Sequence, residues 1–125
     1  MGRYYYGDVE GKFWFAVQPS NAADRFGVIG REPNYLEYYF QTDDLPNIEQ
    51  ALKEIEGTLG EYFQKMEDFF KSVDYYNDEE LAEAIGVEVE DARYYLREYA
   101  DYQLGEKIRD YVIEHGECDF SAELG

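Results

Sequence analysis

The only histidine and the only cysteine of the chain lie three residues apart, as His115 and Cys118. With the acidic neighbours Glu114 and Asp119 they could contact a metal ion. A structural zinc site, however, needs four protein ligands, usually several cysteines or histidines. One histidine also leaves a single candidate base for nucleophilic catalysis. We therefore expect no metal and no cofactor, and we assign no catalytic residue. If a metal ion did bind, His115 and Cys118 would be its candidate ligands.

Carboxylate pairs are frequent, as at Asp43 and Asp44 and in the run 78–80, but 29 acidic residues produce such pairs by chance. General acid–base catalysis needs two carboxylates in contrasting environments, and no spacing singles out such a pair. Glycine-rich phosphate-binding motifs and twelve-residue calcium loops are also absent from the sequence. A small enzyme is therefore an alternative, which a pocket holding a carboxylate of raised pKa would favour.

The net charge of the 125 residues is −18, and residues 44–125 carry most of it. Such a field repels phosphate backbones and anionic membranes and attracts basic protein surfaces. We therefore expect neither direct nucleic-acid binding nor membrane binding. The single cysteine excludes an internal disulfide framework and is typical of a cytoplasmic protein. A charged coat that only maintains solubility, or a salty cytoplasm, is the alternative explanation of the acidity.

Tyrosine is unusually common, with 14 residues that include four runs of two or three. Adjacent residues of a strand point to opposite faces, so these runs cannot all be buried on one side. Tyrosine offers a large contact area at low entropic cost and is enriched at binding surfaces. Beside acidic residues it would suit an arginine-rich partner through salt bridges and cation–π contacts. The alternative is that the tyrosines only cover a two-sided sheet.

The N-terminal third predicts strands and loops. Residues 3–6 and 12–18 are rich in aromatic and β-branched side chains, and residues 7–11 between them supply turn residues, which together predict a β-hairpin. Residues 19–33 predict a loop, and residues 35–41 predict a third strand. The alternating tail after residue 117 predicts a strand that returns to this sheet.

The following segment predicts a long helix over residues 45–73. Its apolar side chains alternate spacings of three and four in an unbroken seam. Gly57 and Gly60 lie off this seam, where a kink can form. A core helix lying across the sheet is the preferred interpretation, and a homodimer zipped along this helix is the alternative. The seam consists of Leu45, Ile48, Leu52, Ile55, Leu59, Tyr62, Met66, Phe69 and Val73.

Three further helices complete the predicted architecture. Asn77 and Glu80 form a capping box for a short helix that ends at Gly86, and helices follow over residues 88–103 and 105–115. The fold class is α+β: an N-terminal antiparallel sheet, with hairpin, third strand and C-terminal return strand, packs against a long helix and a small helical cluster. We predict one domain over 1–125, with strands and loops in 1–43, helices in 44–116 and the return strand in 117–125.

Residues 81–96 resemble the helix-turn-helix unit of transcription regulators. Small residues occupy the first helix and the turn, and apolar residues stand where that family places its core: Ala82, Gly86, Val87, Ala92 and Leu96. A transcription-associated protein is what this resemblance implies. The sequence departs from the family at the reading helix, which begins with Glu88, Glu90 and Asp91, because these acids would face phosphates.

The leading hypothesis is a non-enzymatic acidic module that binds a basic protein surface and mimics nucleic-acid charge. In this general character the chain resembles small accessory proteins of phages and large viruses. We assign the partner contacts to Glu88, Glu90, Asp91 and Tyr94. The alternatives are the zipped structural dimer, the helix-turn-helix protein and the small enzyme.

Overall fold

The computed structural model describes residues 4–12, 14, 18–30 and 35–123. Within these residues the chain forms a sheet, two short 3₁₀ turns and a set of helices. The strands are β1 Tyr4–Gly7, β2 Gly11–Lys12, β3 Tyr35–Gln41 and β4 Glu117–Glu123. The 3₁₀ turns are Ala22–Phe26 and Thr42–Asp44. The helices are α1 Leu45–Leu59, α2 Tyr62–Ser72, α3 Asp78–Ile85 and α4 Val89–His115.

The described strands form one antiparallel sheet in the order β2-β1-β4-β3. β4, the last strand in the chain, lies between β1 and β3, with Tyr5 opposite Ala122 and Tyr39 opposite Asp119. This arrangement confirms the predicted α+β class, with its hairpin, third strand and return strand. The third strand has the predicted bounds.

The predicted second strand over 12–18 is longer than the observed one. β2 contains only Gly11–Lys12, Trp14 has 3₁₀ geometry, and residues 13 and 15–17 lie outside the described part of the chain. The fully buried side-chain Oε1 of Gln18 accepts hydrogen bonds from the Trp14 N–H at 3.3 Å and the Tyr5 hydroxyl at 3.1 Å.

The predicted unbroken helix over 45–73 is wrong, because the chain breaks it at Gly60. Gly60 has φ +52°, a conformation that L side chains rarely adopt, and α2 starts two residues later. The α1 part of the seam is buried inside this chain, at Ile48, Leu52, Ile55 and Leu59. These side chains are used by the protein's own core and are not exposed for a zipper with a second copy.

The predicted separate helices over 88–103 and 105–115 are one helix, α4, of 27 residues. Gly105 does not end it, because this glycine is buried where other elements press against the helix. A Cβ atom at Gly105 would lie 2.7 Å from Cζ of Phe26 and 2.8 Å from Cδ2 of Leu52. Gly105 therefore permits close packing of α4 against α1 and the first 3₁₀ turn.

The long helix that covers the sheet is α4, whereas α1 packs on α4 instead of lying across the strands. One face of the sheet is turned to this core. Its inward side chains are Tyr5, Leu36, Tyr38, Phe40, Cys118, Phe120 and Ala122. Of the described helices, none is long and apolar enough to cross a membrane.

A buried polar network joins the N-terminal segment to α4. The Gln18 side-chain Nε2 donates to Oδ1 of Asp101 at 2.8 Å, and Arg25 Nη1 donates to Oδ2 of Asp101 at 2.6 Å. Arg25 also pairs with Glu98 at 3.2 Å. Burial raises the pKa of the Asp101 carboxyl, while its hydrogen bonds from Gln18 and Arg25 act in the opposite direction. The network satisfies the buried polar groups that it brings into the core.

We predict that Gly105→Ala lowers the free energy of unfolding by about 1–3 kcal/mol, because the new methyl group overpacks the core. Gly57→Ala is the matched control. Gly57 lies inside α1, and a methyl group added there would meet nothing within 4 Å beyond the helix's own backbone, so this change should stabilise the protein by about 0.5–1 kcal/mol. Urea unfolding of both variants measures the difference. Equal effects of the two substitutions would contradict the close packing.

We predict that Asp101→Ala lowers the free energy of unfolding by about 2–3 kcal/mol, because it removes the buried carboxylate that accepts hydrogen bonds from Gln18 and Arg25. Asp101→Asn retains an oxygen acceptor and should cost less. Thermal or urea unfolding measures both. A loss that is the same for Asn and Ala would show that the hydrogen bonds contribute little.

Candidate functional site

The four predicted partner contacts lie together at the start of α4. Glu88 is the residue before the helix, and its carbonyl oxygen accepts the Ala92 N–H at 2.9 Å. Glu90, Asp91 and Tyr94 follow on the first two turns, and all four side chains are exposed. The structure thus brings the predicted residues into one surface, and whether a partner contacts them stays a prediction.

Helix geometry already accounts for these acids. Glu90 and Asp91 lie in the first turn of α4, where negative side chains interact favourably with the helix dipole. The neighbouring Arg93 donates from Nε to Oδ2 of Asp78 at 2.8 Å, so part of the local charge is compensated. The α4 surface is therefore explained in part without a ligand.

The segment that resembles a helix-turn-helix unit consists of α3, a turn over residues 86–88, and the start of α4. Half of the predicted capping box is present: the Glu80 N–H donates to Oδ1 of Asn77 at 2.8 Å, whereas the Glu80 carboxylate accepts from the Asn77 side chain, Nδ2 to Oε1 at 3.2 Å, and not from its backbone N–H. Gly86 ends α3 with φ +79°. The two helices pack through the buried side chains of Leu81, Ala82, Ile85, Ala92 and Leu96.

The two metal-ligand candidates are separated by the fold. Cys118 is fully buried on the inner face of the sheet, whereas His115 is exposed at the end of α4, with its ring centroid 4.2 Å from that of Tyr111. Within the described part of the chain, no group of three His, Cys, Asp or Glu residues is arranged to hold a metal ion. Burial raises the pKa of the Cys118 thiol from 9.0 to about 12.

The other face of the sheet, which we call the outer sheet face, is not covered by the described helices. Period-two alternation places every second residue of β1, β3 and β4 on this face. Tyr4, Tyr6 and Tyr39 are 43%, 48% and 47% exposed here. The other members that define the face are Lys12, Glu37, Gln41, Glu117, Asp119, Ser121 and Glu123.

Two carboxylates of this face accept hydrogen bonds from tyrosine hydroxyls. The Tyr39 hydroxyl donates to Oε1 of Glu117 at 2.7 Å, and the Tyr6 hydroxyl donates to Oε1 of Glu123 at 2.8 Å. The hydrogen bond to Glu117 also raises the pKa of Tyr39. Aromatic rings and carboxylates therefore alternate across neighbouring strands.

The carboxylates of the outer sheet face have no cationic partner in the described part of the chain. Among the described residues, the basic partners in salt bridges are Arg25, Arg93, Arg109 and His115. None of these four residues lies on the outer sheet face. Lys12 is the one basic side chain among the defining residues, and it forms no salt bridge with any described residue. Unlike the acids of α4, these carboxylates gain nothing from a helix dipole and stand in strands, where acidic residues are disfavoured.

Two open cavities flank β4, and Asp119 lines both. One, of about 750 Å³, lies between residues 27–30 and β3 and includes Glu37, Tyr39 and Asp44. The other, of about 660 Å³, lies between the end of β1 and the end of α4. Two carboxyls whose pKa is raised, Asp101 and Glu106, line neither cavity.

Sequence reasoning missed the outer sheet face as a site. The strand predictions and the tyrosine runs were available, and the acids at 117, 119 and 123 share one face of the predicted return strand. The sequence pattern does not reveal that β4 pairs between β1 and β3. This pairing places the acids of β4 beside Tyr6 and Tyr39.

Comparison with protein-family models, with curated proteins and with solved structures gives no match.

We predict that Cys118 reacts with iodoacetamide at least about 100-fold more slowly in the native protein than in urea, because the buried thiol stays neutral and shielded. Its native pKa is raised, so the stability it contributes is complete below pH 9.0 and is lost as the pH rises towards about 12. Alkylation rates followed by mass spectrometry test this. Similar rates in the two states would contradict the burial.

Proposed function

We propose that the protein is a non-enzymatic acidic module that binds a basic segment of another protein, with the outer sheet face as its main contact surface. The observation that carries this proposal is the uncovered sheet face, on which exposed tyrosines alternate with carboxylates that have no salt-bridge partner among the described residues. A partner that binds nucleic acid would present the matching positive surface, so the module would mimic phosphate charge.

The chemistry of the face suits arginine and lysine side chains. A cation above the exposed ring of Tyr6 or Tyr39 is attracted by the ring face, and the neighbouring carboxylates can accept its hydrogen bonds. Exposed ion pairs each contribute only about 0.2–1 kcal/mol, so useful affinity requires several contacts at once. The net charge of −18 would accelerate the encounter with a basic partner and make it dependent on salt.

The exposed set of Glu88, Glu90, Asp91 and Tyr94 belongs to the same proposal as a second contact surface. It presents acids and a tyrosine that is 54% exposed, but helix geometry accounts for part of that charge. We place the protein in the cytoplasm, where its one cysteine stays reduced. We expect no direct contact with nucleic acid.

We predict that a short peptide alternating basic residues with serine binds the full chain, and that affinity falls as salt rises from about 50 to 300 mM. Neutralising the sheet face with Glu37→Gln, Glu117→Gln and Asp119→Asn should weaken binding about tenfold, because three contacts of about 0.5 kcal/mol each are lost. Fluorescence anisotropy measures the dissociation constants.

The matched control is Glu88→Gln, Glu90→Gln and Asp91→Asn, which removes the same amount of charge from the α4 surface. A smaller loss in this control supports the sheet face, whereas a larger loss assigns the contact to α4 and overturns the choice of surface. Absence of binding, or binding insensitive to salt, would overturn the proposed function. Circular dichroism establishes that both variants are folded.

A further inference from the structure

The sheet contains a gap beside β4 where β1 ends. β1 pairs with β4 at residues 120–122, and the Asp8 N–H then donates to the Asp119 carbonyl oxygen at 2.8 Å. In the other direction, the Asp119 N–H donates a hydrogen bond to Oδ2 of Asp8 at 2.7 Å. Further along, Glu117 and Cys118 have β3 on one side and no described strand on the other. We call this gap the β4 notch.

The end of α4 closes the notch from the side. Tyr111 and His115 lie one helical turn apart, with ring centroids separated by 4.2 Å. Interaction with the Asp8 carboxylate raises the pKa of the Tyr111 phenol, and both residues line the notch. The resulting cavity has a volume of about 660 Å³, within the usual range of ligand pockets.

The lining of the notch combines aromatic rings with negative charge. Tyr6 contributes a third ring, and the carboxylates come from Asp8, Glu117 and Asp119. The described lining includes no lysine or arginine, and none of the three carboxylates forms a salt bridge within the described residues. A cavity of this composition favours a cation that is also flat enough to stack on rings.

We propose that the β4 notch binds the guanidinium group of an arginine side chain from the basic partner. The proposal rests on the proposed function and names the residue type that anchors the partner on the outer sheet face. A guanidinium is planar, stacks on aromatic rings and pairs with carboxylates through two parallel hydrogen bonds. A lysine ammonium stacks on rings and pairs with carboxylates less well. The notch therefore distinguishes arginine from lysine, which charge attraction alone would not.

Two peptides of equal charge test this assignment on the full chain, one alternating arginine with serine and the other alternating lysine with serine. We expect the arginine peptide to bind about three- to tenfold more tightly. His115 is the only histidine, so its ring signals are unambiguous in an NMR spectrum. The arginine peptide should shift them strongly and the lysine peptide weakly.

Tyr111→Leu removes one ring without changing the charge, and we expect it to bring the affinity ratio of the two peptides close to one. Tyr75→Leu, at a tyrosine that is 88% exposed between α2 and α3 and belongs to neither proposed contact surface, is the matched control and should leave the ratio unchanged. The His115 shifts are measured on the unaltered protein, so the proposal stays testable if Tyr111→Leu does not fold.

The ways in which the two proposals can fail are distinguishable. Equal binding of both peptides, with unmoved His115 signals, overturns the notch and leaves the proposed function standing. If neither peptide binds, the proposed function fails. If agmatine alone shifts His115 while both peptides do not, the notch takes a free guanidinium compound and the partner arginine is overturned.

Discussion

The close enclosure of α4 is the constraint on which the rest of the structure depends. This helix is contacted by the sheet, α1, α3 and the first 3₁₀ turn, so it must be narrow where Phe26 and Leu52 press on it. Gly105 provides that space. The same enclosure buries Asp101, whose charge is tolerated only because Gln18 and Arg25 donate to it. Both the closest packing at Gly105 and the buried hydrogen bonds of Asp101 therefore lie on α4.

Packing α4 on one side leaves the other side of the sheet uncovered by described helices. The inward residues of β4 are small or apolar, and the outward ones are acidic or polar. An antiparallel sheet tolerates such a division, since one face can remain solvated. On the solvated side, tyrosine hydroxyls donate to carboxylates, as with Tyr39 and Glu117.

The acidic residues of this chain fall into two groups, according to whether their position in the fold stabilises their negative charge. At the start of α3 and α4 they complement helix dipoles, and at Asp78 one also pairs with Arg93. On the outer sheet face, the described acidic residues have neither a helix dipole nor a salt-bridge partner. Net charge alone does not separate these two groups, whereas the strand pairing and the salt-bridge partners do.

The sequence by itself determined the α+β class, the third strand, the return strand and the capped start of α3, because each depends on local periodicity or on a short motif. Tertiary structure decided the remainder. Gly60 broke a continuous seam, whereas Gly105 did not break a helix, because a glycine's effect depends on its backbone conformation and on what packs against it. The outer sheet face likewise arose only from long-range pairing of β4 between β1 and β3, which no local pattern encodes.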